Sequence, residues 1–131
     1  MSYTIVKSDG TLLTTIADGT LDTTCSLQLP GPNYVGYGQH LNENLVHLLE
    51  SFAGNAAPGG NNLPGQLWFN KSNQVLNVFT TEGYVPVSGI VLDDSQPVNA
   101  IAGNIWFNTQ TAQIHFFDGT NWNLIGPNYT K

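Results

Sequence analysis

The strongest constraint on the fold of this chain is that it repeats itself. Residues 65–88, GQLWFNKSNQVLNVFTTEGYVPVS, align without a gap on residues 103–126, GNIWFNTQTAQIHFFDGTNWNLIG, at an offset of 38. Gly65/Gly103, Trp68/Trp106, Phe69/Phe107, Asn70/Asn108 and Phe79/Phe117 are identical. Leu67/Ile105, Leu76/Ile114, Val78/Phe116, Tyr84/Trp122 and Val87/Ile125 keep their apolar character. Identity gathered in a Trp-Phe-Asn triplet, with most apolar columns kept, marks a tandem repeat. A unit this short cannot bury enough apolar surface to fold alone. Each copy is therefore expected to be completed by its twin, by the rest of the chain or by another subunit.

Each copy reads as three short strands: 66–69, 75–79 and 84–87 in the first, 104–107, 113–117 and 122–125 in the second. Leu76 and Val78 alternate with Asn77, which puts the amide on the opposite face. His115, between Ile114 and Phe116, is expected on the exposed side. Asp118-Gly119-Thr120-Asn121 is a turn, because glycine accepts the positive φ that a tight reversal requires. Residues 90–102 read as a connecting loop with a short strand at its start.

The first 30 residues also alternate in the β manner over 3–6, 12–16 and 23–29, punctuated by Asp9-Gly10-Thr11 and Asp18-Gly19-Thr20. One segment, 38–53, reads as a helix stopped by Gly54. Its apolar residues Leu41, Leu45, Leu48 and Phe52 are spaced 4, 3 and 4 apart, one stripe along a helix. Two uses of that stripe stand open: docking on the N-terminal sheet, or meeting symmetry mates at a trimer axis. The fold class is mainly β with one α-helix, a small N-terminal sheet plus helix followed by two three-stranded repeats. The expected divisions are an N-terminal attachment or trimerisation region (1–55), a linker (56–64), repeat 1 (65–88), a connector (89–102), repeat 2 (103–126) and a tail (127–131).

Composition narrows the function. Charged residues make up 9% of the chain, with three Lys, no Arg and a net charge of −6. Nucleic-acid binding is excluded on this reading, since phosphates demand clustered positive charge. The cationic clamp of phosphoryl transfer is missing for the same reason. No run approaches the ~20 apolar residues of a membrane span, and no basic segment leads into a long apolar run at the start. The expected setting is a reducing cytoplasm or a particle assembled there, where the lone Cys25 needs no partner.

Little in the chain points to reaction chemistry. His40, Asn44 and His47 share a helical face, but Asn44 is a poor ligand and Glu43 and Glu50 point elsewhere, so a polar face is expected rather than a metal site. Asp93 and Asp94 alternate sides of an extended chain and do not form a catalytic pair. Cys25 lies in an expected strand, far from any helix start that would activate it. Gly36-Tyr37-Gly38 lacks the third glycine and the βαβ setting of a dinucleotide loop. No enzyme activity, cofactor or metal is expected. Trp68, Tyr84, Trp106 and Trp122 occupy equivalent repeat positions. They are read as the miniature cores of the repeats, with stacking on sugar rings as the alternative.

The pattern Gly-x-(Leu/Ile)-Trp-Phe-Asn, a polar gap, alternating apolar residues and Asp-Gly-Thr-x-Trp resembles the short β modules of tailed-bacteriophage virion proteins of the tail-fibre and baseplate-attached type. The second copy is the nearer match, since the first has Tyr84 where tryptophan is usual and lacks the Asp-Gly-Thr turn. The helical stretch 41–50 resembles the region preceding such modules, and the resemblance covers residues 27–126. It implies a non-enzymatic structural component of a virion (tail fibre, baseplate or decoration protein), a homotrimer held to other virion proteins, assembled in the host cytoplasm. Leu41, Leu45, Leu48 and Phe52 would form the oligomer interface. The alternative is a carbohydrate-binding module touching host-surface glycans through Trp68, Tyr84, Trp106 and Trp122.

Overall fold

A computed structural model describes residues 1–87 and 89–128. Ser88, the last position of the first repeat, and residues 129–131 of the expected tail lie outside the described residues. The described chain is mainly β with a single α-helix, as its pattern predicts. It divides into two units, Met1–Thr81 and Glu82–Lys131.

The first unit opens with the antiparallel hairpin of β1 (Tyr3–Val6) and β2 (Leu12–Ile16), which match the predicted strands. The expected strand over 23–29 is not there. Instead β3 (Leu21–Asp22) and β4 (Leu29–Pro30) pair briefly, and the chain between them bends. Asp22 is the cause: its Oδ1 accepts hydrogen bonds from the Thr24 amide and hydroxyl, at 3.0 and 2.7 Å, closing a local turn that competes with the ladder. Cys25 is buried in that bend rather than on a strand.

Helix α1 (Tyr37–Leu49) ends four residues before the predicted last residue, Ala53. Ser51 and Phe52 both take φ of 52°, the left-handed region. The Phe52 amide donates to the His47 carbonyl at 2.8 Å and the Ser51 amide to Leu48 at 3.1 Å, the two crossed bonds that close a helix over a left-handed residue. Serine stands where glycine usually does. Strand pairing holds it there, because the Phe69 amide donates to the Ser51 carbonyl at 2.9 Å. Phe52 therefore leaves the helix and is not the fourth member of the stripe.

Strands β5 (Leu67–Asn70) and β6 (Val75–Thr80) form the hairpin of the first repeat. Residues 51–54 run beside β5 in parallel, bridging Gly54 to Asn70. The stretch 56–64 is not the point of division; it lies inside the first unit. Its polar groups are clipped to the bend at Cys25: the Asn61 amide donates to the Thr24 carbonyl at 2.7 Å, and Ser26 Oγ donates to the Gly59 carbonyl at 2.7 Å. A Cβ at Gly60 would sit 2.8 Å from the Cys25 carbonyl oxygen, so only glycine lets the two segments approach this closely.

In the second unit, β7 (Gly83–Pro86) is the third strand of the first repeat. The connector's expected strand is β8 (Ile90–Asp93), and it has a partner that the sequence did not reveal. It pairs in parallel with β9 (Ile105–Asn108), which pairs with β10 (Gln113–Phe117), which pairs with β11 (Trp122–Ile125), giving the order β11-β10-β9-β8. Buried apolar side chains are few: among the described residues, Ile16, Cys25, Pro32 and Trp106.

Candidate interaction surface

The helix shows what this chain does with apolar surface. Its one buried residue is polar, Asn44, at 6% exposure. The amide side chain grips the backbone of Gln28 twice, with Oδ1 accepting from the Gln28 amide at 2.9 Å and Nδ2 donating to its carbonyl at 2.6 Å. His40 adds a contact to the Gln28 side chain and lies 3.8 Å from Glu43. Consecutive helical residues are turned by about 100°, so anchoring Asn44 swings Leu45 out to the side. Leu45 is 63% exposed and Leu49 84%, and Leu41, Leu48 and Val46 are also open. The helix is held through a polar contact, and its hydrophobic stripe is left bare.

The sheet of the second unit repeats this pattern. By register, Ile90, Ile105 and Phe116 form one row across it, and Leu92, Phe107, Ile114 and Ile125 form the next. Five of these seven are between 41% and 62% exposed. In the first unit the same columns place Leu67 opposite Val78 and Phe69 opposite Leu76, with Leu67 and Leu76 exposed. The alternation holds, but the side expected for His115 is reversed. The face carrying Asn77 and His115 turns inward, because those residues are the cross-strand partners of Trp68 and Trp106.

The tryptophans are committed to that inner side. Trp106 is 6% exposed and its indole N–H donates to the Asp93 carbonyl at 3.0 Å. His115 is not exposed as expected; it stacks on Trp106 with ring centroids 4.5 Å apart, and its Nδ1 is buried without a hydrogen bond. Trp122 meets Trp106 edge-on at 5.7 Å and Phe117 at 5.2 Å. Trp68 is half-buried, with its indole N–H donating to the Gly54 carbonyl at 3.2 Å. Tyr84 is half-buried and its phenol is shifted upward by burial.

The other candidates do not converge. His40 faces Gln28, Asn44 is spent on backbone, and His47 stacks on Phe52 at 6.2 Å, so the three do not share a ligand position. Among the described residues no group of three His, Cys, Asp or Glu could hold a metal ion. Asp93 and Asp118 are each held below the ordinary carboxylate value by hydrogen bonds from neighbouring backbone amides, chiefly of Ser95 and Asn121 respectively. These are turn-forming carboxylates. No helix among the described residues is long and apolar enough to cross a membrane. Comparison with protein-family models, with curated proteins and with solved structures finds no match to the chain.

Proposed function

We propose that this chain is a non-enzymatic structural component of a tailed-bacteriophage virion, of the tail-fibre, baseplate or decoration type, that works by associating with copies of itself as a homotrimer and with neighbouring virion proteins. The observation that supports self-association is the bare stripe Leu41, Leu45, Leu48 and Leu49 on a helix held to its own unit by Asn44. At about 1.5–3 kcal/mol per fully covered aliphatic side chain, covering these partly exposed residues is worth roughly 4–7 kcal/mol per subunit. Each subunit of an assembly contributes its own share, against an association cost of about 4–15 kcal/mol. The stripe carries no charge, so a like stripe is a complementary partner. The virion assignment rests on the resemblance of the repeats. The alternative, host-glycan contact through Trp68, Tyr84, Trp106 and Trp122, has less support, since Trp106 offers almost no open surface.

Sedimentation velocity or native mass measurement tests the reading. A stable trimer is expected at micromolar concentration, and a combined Leu45→Asp and Leu49→Asp variant should sediment as a folded monomer. Both positions are exposed, so loss of the assembly with an unchanged circular dichroism spectrum supports the interface. A wild-type chain that stays monomeric at high concentration overturns it.

A further inference from the structure

We infer that the first unit carries a binding site for a small neutral saccharide, walled by Tyr3, Tyr34 and Tyr37 and floored by the segment Pro30 to Asn33. The concavity measures about 630 Å³, within the range of about 300–1,000 Å³ that holds small ligands. It lies wholly inside the first unit and shares Leu41 with the stripe proposed for self-association.

Its floor is rigid. The Gly31 amide donates to the Thr20 carbonyl at 2.8 Å, and the Gly19 amide to the Pro32 carbonyl at 2.6 Å. A Cβ on Gly31 would fall 2.3 Å from the Ala17 carbonyl oxygen, so the floor is seated directly on the preceding turn. Asn33 stands at the rim with φ of 60°. Its Nδ2 donates to Asp18 Oδ1 at 2.7 Å. A carboxylate only accepts, so this bond fixes which end of the amide donates and leaves Oδ1 to accept. Tyr34 is steadied by an edge contact with His40 at 5.5 Å, while Tyr3 and Tyr37 are 45% and 60% exposed.

The lining selects the ligand class. No charged side chain is among Tyr3, Pro30, Gly31, Asn33, Tyr34, Tyr37 and Leu41, so an ion gains no partner there. A purely apolar guest would replace no hydrogen bond of any tyrosine hydroxyl or Asn33 amide oxygen that it covered. A pyranose meets both demands: its C–H face lies on a tyrosine ring and its hydroxyls donate and accept around the edge. A proline-rich peptide would also lie on such rings, but prolines have no N–H to give to Asn33 Oδ1.

The test is a two-dimensional NMR titration of the full chain with neutral mono-, di- and trisaccharides and, separately, a polyproline peptide. At about 10 mM, suited to a millimolar Kd, at least one saccharide is expected to shift the Tyr3 and Tyr37 ring resonances and the Asn33 side-chain amide. Tyr37→Ala should weaken that binding about tenfold, since one stacking ring is worth roughly that factor. Asn33→Gly keeps the backbone conformation, removes the acceptor and should weaken it several-fold. An unchanged backbone spectrum shows that each variant folds. Silence with every saccharide, binding that survives Tyr37→Ala, or stronger shifts with the peptide would overturn the site. Sedimentation of the same samples keeps this outcome separate from that of self-association.

Discussion

The two repeats, one beginning in each unit, solve the same local problem with different completeness. In both, four of the five identical positions do the same visible work. Gly65 and Gly103 take φ of 92° and 96°. The Trp68 and Trp106 indoles both bond a carbonyl on a segment running parallel to their own strand, from Gly54 in one copy and Asp93 in the other. Asn70 and Asn108 each accept a bond at 2.9 Å from the amide two residues on, opening the hairpin loop. The Phe79 and Phe117 carbonyls accept the amides of Gly65 and Gly103 at 2.9 and 2.8 Å. What differs is the fourth segment. In the second copy it is a full strand, β8, and the tryptophan is buried; in the first it is the run-out of a helix, and the tryptophan is half-open. The repeat motif therefore includes a partner lying outside the aligned residues, and the quality of that partner sets how deep the core goes.

If that is right, deleting the rings should separate the copies most. Trp106→Ala is expected to cost about 3–5 kcal/mol, the range for emptying a buried aromatic site, and Trp68→Ala about half as much. Equal losses in denaturant titrations would break the distinction. Next comes the residue facing each tryptophan. Asn77 is buried and donates to the Val75 carbonyl at 3.0 Å and the Trp68 carbonyl at 3.4 Å, so Asn77→Ala should cost about 1–3 kcal/mol. His115→Asn should stay within about 1 kcal/mol of the parent, because a stacked ring is lost but an unbonded buried nitrogen goes with it.

A smaller and equal effect is expected at the hairpin loops. Gln74 and Ala112 hold φ of 61° and 60° without glycine's freedom. Gln74→Gly and Ala112→Gly should each raise stability by about 0.5–1 kcal/mol, relief of left-handed strain outweighing the added freedom of the unfolded chain. Unequal gains would show that the loops are not equivalent. The smallest effect is a response to acid. Asp118 accepts the Asn121 and Thr120 amides at 2.8 Å each, while the first copy has Thr80 at that position. These bonds hold the folded carboxyl below the ordinary 3.8, so as pH falls the unfolded form takes up its proton first. The turn's contribution is full above about pH 4 and drains away as pH drops through the lower folded value. Amide exchange at Thr120 and Asn121 should quicken there, with no such response at Glu82 and Gly83.

Strand positions were legible because alternation and turn chemistry are local: β1, β2, β10 and β11 fall where the pattern puts them. Which face turns inward was not legible. Leu76, Ile114 and Phe116 look like core by hydropathy, yet the cross-strand register puts Asn77 and His115 against the tryptophans instead. The helix shows the same limit, since a stripe of leucines says nothing about the amide of Asn44 capturing the Gln28 backbone. The tyrosine-lined hollow was missed because Tyr3, Asn33 and Tyr37 come from a strand, a turn and a helix. The spacing of Tyr34 and Tyr37 just after Pro30-Gly31-Pro32 was its only trace in the chain.

The sequence by itself determined the β-rich class, the duplication, the turns and the absence of clustered positive charge. These follow from residue type and near-neighbour spacing, which act within a few bonds. Only the tertiary structure decided where the helix stops, which segment runs beside each repeat, and which apolar faces stay bare. Those outcomes are settled by hydrogen bonds between distant residues, Ser51 with Phe69 and Asn61 with Thr24 among them, whose energies depend on geometry that spacing does not encode.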